Sequence, residues 1–524
     1  MKKSFLLVLP LLLLLHAALP GQAPAARKLA DRISAVMDTD EYRMSSWGIA
    51  VADAATGEMI HTRNPDKLFA PGSVTKLFSG AAALIAMGAP YRFITPIHRR
   101  GEVDAAGVLR GDLIVRAVGD PDLSGRTDAQ GHLVFTNHDH TYSAMYASQG
   151  TTAELTKTDA LAGIDDLAQQ VAAAGIRQAR DVLIDERFFE RHESGGSPPF
   201  QARPMVVNDH LIDISIAPGR EAGAPAIVEF RPQTGYAQFE VAVLTAAPGA
   251  ASVVNAQRVG PRRYVVRGQI ARDQAPVVRT VEVDDGAEFA RTVLIERLRA
   301  RGVSVEASPD SPMQTNSLPA EADYKTLPVV ARHKSAPFGE SLKVILKVSH
   351  NNHAHMLPML LGAVNGQRTH AEGMRAEQAY LGMAGVDTTR FSLGDGEGGS
   401  QANQVSPRAV IQLLTVMAKW PEYQVYHDAL PILGVDGTLA EAVGPDSPAR
   451  GRVHAKTGTY VQGDALNGRL LLRAKAMGGY MTAASGRKLV FAIFLNNVPM
   501  NAPAEANKHG ATLGRLAEMI QQAL

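Results

Sequence analysis

The stretch Ala70-Pro71-Gly72-Ser73-Val74-Thr75-Lys76-Leu77-Phe78-Ser79-Gly80-Ala81-Ala82-Ala83-Leu84-Ile85-Ala86-Met87 sets the reading of the whole chain. From Ser73 to Met87 it predicts a strong helix: Leu77, Ala81, Leu84 and Ile85 recur at helical spacing, and Gly88 and Pro90 stop it. A helix sets residues i and i+3 on one face, so Ser73 and Lys76 can hydrogen-bond. A serine hydroxyl is a weak nucleophile until a base takes its proton. A lysine is such a base only when neutral, which burial or a neighbouring cation brings about by lowering its pKa. Ser73 would also sit at the positive end of the helix. A second Ser-x-x-Lys, Ser485 to Lys488, falls in a hairpin turn and reads as turn chemistry.

Two more motifs follow in order, each occurring once: Ser349-His350-Asn351 and Lys456-Thr457-Gly458. Ser349 opens or precedes a helix and can relay protons between Lys76, Lys456 and a leaving amine. Asn351 can hydrogen-bond a substrate amide and Lys76. Helix capping is the plain alternative for both. Lys456-Thr457-Gly458-Thr459 fits an edge strand, where Gly458 admits a substrate backbone. Lys456 would be the cation that lowers Lys76, and with Thr457 it would hold a terminal carboxylate. Ser73 and Thr459 would each give a backbone N–H to an oxyanion hole. Taken alone, Lys-Thr-Gly is equally an ordinary strand end.

Around these motifs the texture of the chain changes twice. Pro24 to Tyr42 carries a helical pattern, Trp47 to Ala54 a strand, and Glu58 to His61 the start of another. Residues 93–329 hold short β-like runs, among them Asp112 to Val118, Ala226 to Phe230, Phe239 to Leu244, Arg263 to Val266 and Val277 to Val283. Two helical patterns interrupt them, Asp159 to Ala174 and Gly286 to Arg301. Helical patterns return at Phe338 to Val348, Asn351 to Val364, Ala371 to Met383 and Pro407 to Lys419. The hairpin Gly478 to Ala484 and Lys488 to Leu495 and a helix from Ala504 to Leu524 close the chain. The expected class is α+β, a catalytic domain in two parts, 24–92 and 330–524, interrupted by one or two β-rich inserted domains over 93–329.

The 524 residues suggest about three domains, and 45% hydrophobic with 20% charged residues is ordinary for a globular protein. Lys+Arg 53 against Asp+Glu 52 leaves a formal charge of +1, with no basic excess for general nucleic-acid binding. Cysteine is absent, which excludes disulfides, thiolate metal sites and a cysteine nucleophile. Lys2 and Lys3, the apolar run Phe5 to Leu15 and the small residues at Ala18 and Gly21-Gln22-Ala23 look like a secretory signal peptide over residues 1–23. The run is short of the about 20 residues a membrane span needs, so an exported protein without an integral span is expected.

The ordered set of three motifs is a known template, and the chain resembles the penicillin-binding-protein type of D-alanyl-D-alanine carboxypeptidase/endopeptidase. The specific likeness is to the subgroup with a long insert between the first two motifs: Ser73 and Ser349 lie 276 positions apart. Ala70-Pro71-Gly72, Gly119-Asp120-Pro121-Asp122-Leu123, Asp395-Gly396-Glu397-Gly398 and Gly434-Val435-Asp436-Gly437-Thr438-Leu439 extend it over nearly the whole mature chain. The resemblance implies a β-lactamase/transpeptidase-like fold and a serine acyl-enzyme on Ser73. It implies peptidoglycan stem peptides as substrate and β-lactams as covalent inhibitors; the signal-like N-terminus adds a periplasmic location, and no cofactor or metal is expected.

There are departures from the pattern. His350 stands where Asp is common, His353 and His355 replace aromatic and acidic residues, and Glu397 replaces a small one. A stretch from Arg469 to Met477 separates the third motif from the closing hairpin. His132, His138, Asp139 and His140 form a further histidine-rich run, without a clean metal-ligand pattern; Asp120 and Asp122 read as turn residues. The rival functions are a β-lactamase or esterase on the same core, against which no Glu-x-x-Leu-Asn motif is found, and an inert peptidoglycan-binding scaffold. Rapid penicillin turnover would favour the first. Binding to sacculi without D-alanine release would favour the second.

Overall fold

In the computed structural model, residues 24–138, 140–142, 152–195 and 201–524 are described. The signal-peptide expectation (1–23) and Asp139 lie outside them. A six-stranded antiparallel sheet is built from both ends of the chain. Its path runs Val453–Asp464, Arg469–Thr482, Lys488–Asn496, Ser46–Asp53, Met59–Arg63, with Val498–Met500 against Arg469–Thr482. Strict alternation explains why Lys488–Asn496 is central. Leu489, Phe491, Ile493 and Leu495 enter the core under the terminal helices Pro24–Met37 and Glu505–Ala523. Val490, Ala492 and Phe494 enter the opposite core, against the helix Thr75–Met87. Small residues on that second face, Ala50, Ala52, Ala476 and Ala492, let this helix lie close to the sheet. At Gly478 a Cβ would stand 3.0 Å from Val410 Cγ1.

Two local expectations are corrected. Ser73 lies in a 3₁₀ turn, Gly72–Val74, and the α-helix begins at Thr75. Arg469 to Met477 does not separate the third motif from the hairpin: it is the first part of the strand Arg469–Thr482, paired along its length with the third-motif strand. Its basic residues Arg473 and Lys475 are the outer members of a period-two pattern whose inner members, Leu472, Ala474 and Ala476, are buried. The turn reading of Ser485 to Lys488 agrees with the hydrogen bonds Gly486 N to Ala483 O and Ala483 N to Arg487 O.

The middle of the chain forms separate sheets. Val329–Lys334, Ile94–Arg100, Asp112–Arg116 and Asp181–Asp185 make a four-stranded sheet whose last pair is parallel. Two three-stranded sheets follow, Ile227–Arg231/Leu211–Ala217/Val277–Glu282 and Gln238–Ala246/Arg263–Ala271/Val253–Gly260. The helices Ala162–Ala173 and Gly286–Ala300 share one core with them. The strand Val329–Lys334 pairs with Ile94–Arg100, so this sheet runs a few residues past the edge expected at 329. The class is therefore α+β, with a sheet-and-helix core and several further sheets between its two parts.

Candidate active site

The turn Gly72–Val74 is wedged between the third-motif strand and the segment 395–398. Gly72 has φ +52°, and a Cβ there would lie 2.9 Å from Thr459 N. A Cβ on Gly458 would lie 2.1 Å from Pro71 O and 3.1 Å from Ser73 N. A Cβ on Gly398 would lie 2.2 Å from Gly72 O. Three glycines thus allow three backbones to meet at Ser73. The strand Val453–Asp464 is the edge of its sheet, as the sequence suggested.

Lys76 is completely buried and joins the first two motifs. Its Nζ lies 2.9 Å from Ser73 Oγ, 2.7 Å from Asn351 Oδ1 and 2.8 Å from the Glu397 backbone oxygen. A neutral amine has two N–H donors and one lone pair. The carbonyl-type oxygens of Asn351 and Glu397 can only accept, so they take the donors, and the lone pair is left for the Ser73 hydroxyl proton. Burial lowers the Lys76 pKa to about 8, against the opposing pull of the Glu397 and Asp395 carboxylates. Lys456 is also completely buried, donates to its own Thr457 carbonyl at 2.8 Å, and is driven well below the usual lysine range by burial and then by Lys76. Burial, rather than a charged Lys456, is thus the leading cause of the Lys76 shift.

Ser349 has φ +65°, the left-handed region that a serine seldom adopts. Two bonds from the middle of the chain hold this turn: Thr141 Oγ1 donates to Ser349 O at 2.7 Å, and Asn351 Nδ2 donates to Thr141 O at 3.0 Å. The Ser349 hydroxyl is buried and has no hydrogen-bond partner among the described residues. Capping falls to His350, whose Nδ1 accepts from His353 N at 3.4 Å, so Ser349 and Asn351 are left unused as caps. Thr457 Oγ1 donates to Thr438 Oγ1 at 2.7 Å, and Lys475 Nζ donates to Thr459 Oγ1 at 2.9 Å. Asp395 ties the adjacent loop by accepting from the backbone N–H groups of Glu397, Gly398 and Ser400. Burial, and then Asp395, raise the Glu397 carboxyl to about 8.

The histidines do not group as they do in sequence. His350 and His353 stack at 3.8 Å between centroids and face Asp209 of the middle region, with His353 Nε2 2.6 Å from Asp209 Oδ1. His355 turns the other way, to His192 at 3.1 Å. His132 is exposed beside Asp128, whereas His140 is buried between Asp209 (2.7 Å) and Asp213 (2.8 Å). Burial would lower His140, but Asp213 and Asp209 outweigh it and raise it to about 10. Donor atoms of Asp209, His350 and His353, and of His427, Asp428 and His454, lie within 4.8 Å of one another, the spacing a metal ion would need. Asp209 Oδ2 already accepts from Arg126 and from protonated His140, so cationic donors occupy that oxygen. Asp120 Oδ1 accepts from Asp122 N, the turn role expected of it.

The sequence reading missed Thr141, Asp209, the Glu397 carbonyl, Thr438 and Lys475. Glu397, Thr438 and Lys475 lie in segments it had singled out; Thr141 and Asp209 do not.

The profile of the D-Ala-D-Ala carboxypeptidase 3 (S13) family matches residues 29–519. The chain is 29% identical over 542 residues to the D-alanyl-D-alanine carboxypeptidase of Actinomadura sp. (strain R39), covering 98% of this chain and 89% of that protein. It is 26% identical over 475 residues to the D-alanyl-D-alanine carboxypeptidase DacB of Haemophilus influenzae, covering 86% and 85%. The crystal structure of penicillin binding protein 4 from Haemophilus influenzae superposes with a TM-score of 0.66 at 22% identity, covering 93% of this chain and 97% of that one.

Proposed function

The chain belongs to the D-Ala-D-Ala carboxypeptidase 3 (S13) family, serine hydrolases of this peptidase type, and from that premise we propose that Ser73 is its nucleophile and peptidoglycan stem peptides its substrates. Ser73 Oγ attacks the carbonyl between two D-alanines and passes its proton to neutral Lys76. The oxyanion receives the N–H groups of Ser73 and Thr459. The C–N bond breaks, and the leaving amine of D-alanine takes a proton from Lys76 through Ser349, with Lys456 beside them. Water then adds to the acyl-enzyme, a proton returns to Ser73 Oγ, and the shortened peptide leaves. Thr457, Gly458 and Thr459 line the substrate strand, and Asn351 holds its amide. A β-lactam would acylate Ser73 in the same way. Residues 24–92 and 330–524 form the catalytic unit on this reading, the middle region is inserted, and residues 1–23 direct export to the periplasm.

The observation that carries this is the triple contact of Lys76 Nζ with Ser73, Asn351 and the Glu397 carbonyl. The test is release of D-alanine from a pentapeptide muropeptide. The wild-type protein should release it and Ser73→Ala should not; release by Ser73→Ala would refute the assignment.

A further inference from the structure

We propose that Lys475 binds the terminal carboxylate of the substrate, completing an anion subsite with the hydroxyl of Thr459; this deepens the peptidase reading and rests on it.

A carboxypeptidase of this specificity must hold a carboxylate beside the scissile bond, and a cation is the strongest means of doing so. The cation nearest to hand in sequence, Lys456, is unsuited. It is completely buried, its Nζ is committed to the Thr457 carbonyl, and burial together with Lys76 suppresses its charge. Thr457 alone supplies no charge, and its hydroxyl proton points to Thr438.

Lys475 meets each requirement. It lies opposite Thr459 in the antiparallel pair of Val453–Asp464 with Arg469–Thr482, so the two side chains share a face of the sheet. Its Nζ donates to Thr459 Oγ1 at 2.9 Å, which places the ammonium directly at the third motif. Room for its stem comes from the C-terminal helix. At Gly510 a Cβ would stand 3.0 Å from Lys475 Cε and 3.3 Å from Nζ, so the end of the lysine packs closely over bare helix backbone. Thr459 is exposed, so the end of the subsite is open. Among the described residues, Lys347 is neutralised by Asp436 at 2.6 Å and Lys343 by Glu340 at 2.8 Å, whereas no carboxylate pairs with Lys475. Burial lowers its pKa to about 8, which leaves it mostly charged at neutral pH. A partly desolvated ammonium without a counter-ion is costly, and an incoming carboxylate relieves that cost.

The test compares an acyl-D-Ala-D-Ala peptide with the same peptide ending in D-alaninamide, measured with the wild-type protein, Lys475→Met and Lys475→Arg. Methionine keeps an unbranched stem along Gly510 and removes the ammonium, with its charge and its hydrogen bond to Thr459. The ratio of kcat/KM, acid over amide, should fall about tenfold or more in Lys475→Met, mainly through KM, and should be largely kept in Lys475→Arg. An unchanged ratio in Lys475→Met, whether or not both rates decline together, would overturn the inference while leaving the peptidase reading intact. Failure of the wild-type protein to release D-alanine would overturn that reading, and this inference with it.

Discussion

Neutral Lys76 has one lone pair, and of the three oxygens around it only the Ser73 hydroxyl carries a proton to give it. Only the neutral amine can take the Ser73 proton, and its fraction rises with pH through about 8. The second-order rate of acylation by penicillin should therefore climb about tenfold per pH unit below that value and level off above it. A profile flat from pH 6 to 9 would contradict the base assignment. Among the neighbouring charges, the Glu397 carboxylate ranks first in raising Lys76. Glu397→Gln removes that pull, so the midpoint of the same profile should move to lower pH. Ser73 and Lys76 were legible because their spacing and side chains carry the chemistry. The third partner of Lys76 was not, because a backbone carbonyl has no sequence signature. At His350 the chain departs from the common pattern, and this residue proves to be a helix cap that frees its neighbours.

At the level of elements, the site exists because an edge strand, a 3₁₀ turn and a loop meet without side chains between them. Gly458→Ala would drive a Cβ to 2.1 Å from Pro71 O, and this contact is with backbone, which cannot swing away. The strand should be pushed off the Ser73 turn and penicillin acylation should slow at least about a hundredfold, since a misplacement of ~1 Å can cost that much. An acylation rate within a few-fold of wild type, from stopped-flow fluorescence, would contradict the close packing described. The main helices and most strands could be read from periodicity. The strand Arg469–Thr482 was half missed because Arg473 and Lys475 look like a polar linker until their buried partners Leu472, Ala474 and Ala476 are seen to alternate with them. Thr141 could not be foreseen at all: its bonds to Ser349 and Asn351 span more than 200 positions.

Across the whole molecule, the middle region holds the second motif as well as interrupting the chain. Asp209 accepts from Arg126 and His140 on its own side and faces His350 and His353 across the join. Its carboxylate stays well below the usual range: burial opposes this, but Arg126 and the imidazoles outweigh burial. Asp209→Ala would take one carboxylate partner from the buried Arg126 and His140, a loss of about 2–3 kcal/mol. The thermal midpoint should drop by several degrees and acylation of Ser73 should slow, as read by calorimetry and by labelling with a fluorescent penicillin. A variant with both unchanged would deny this link. Motif order and spacing suggested a core in two parts, but the pairing of Asp209 with His353, 144 positions away, carries no sequence signal.

The central claim is that three distant stretches of chain converge on one reactive hydroxyl. It is tested most directly by incubating the purified protein with benzylpenicillin, digesting it, and locating the covalent adduct by peptide mass mapping. The account predicts one adduct, on Ser73, and none on Ser73→Ala. An adduct on another residue, or an undiminished adduct on Ser73→Ala, would contradict it.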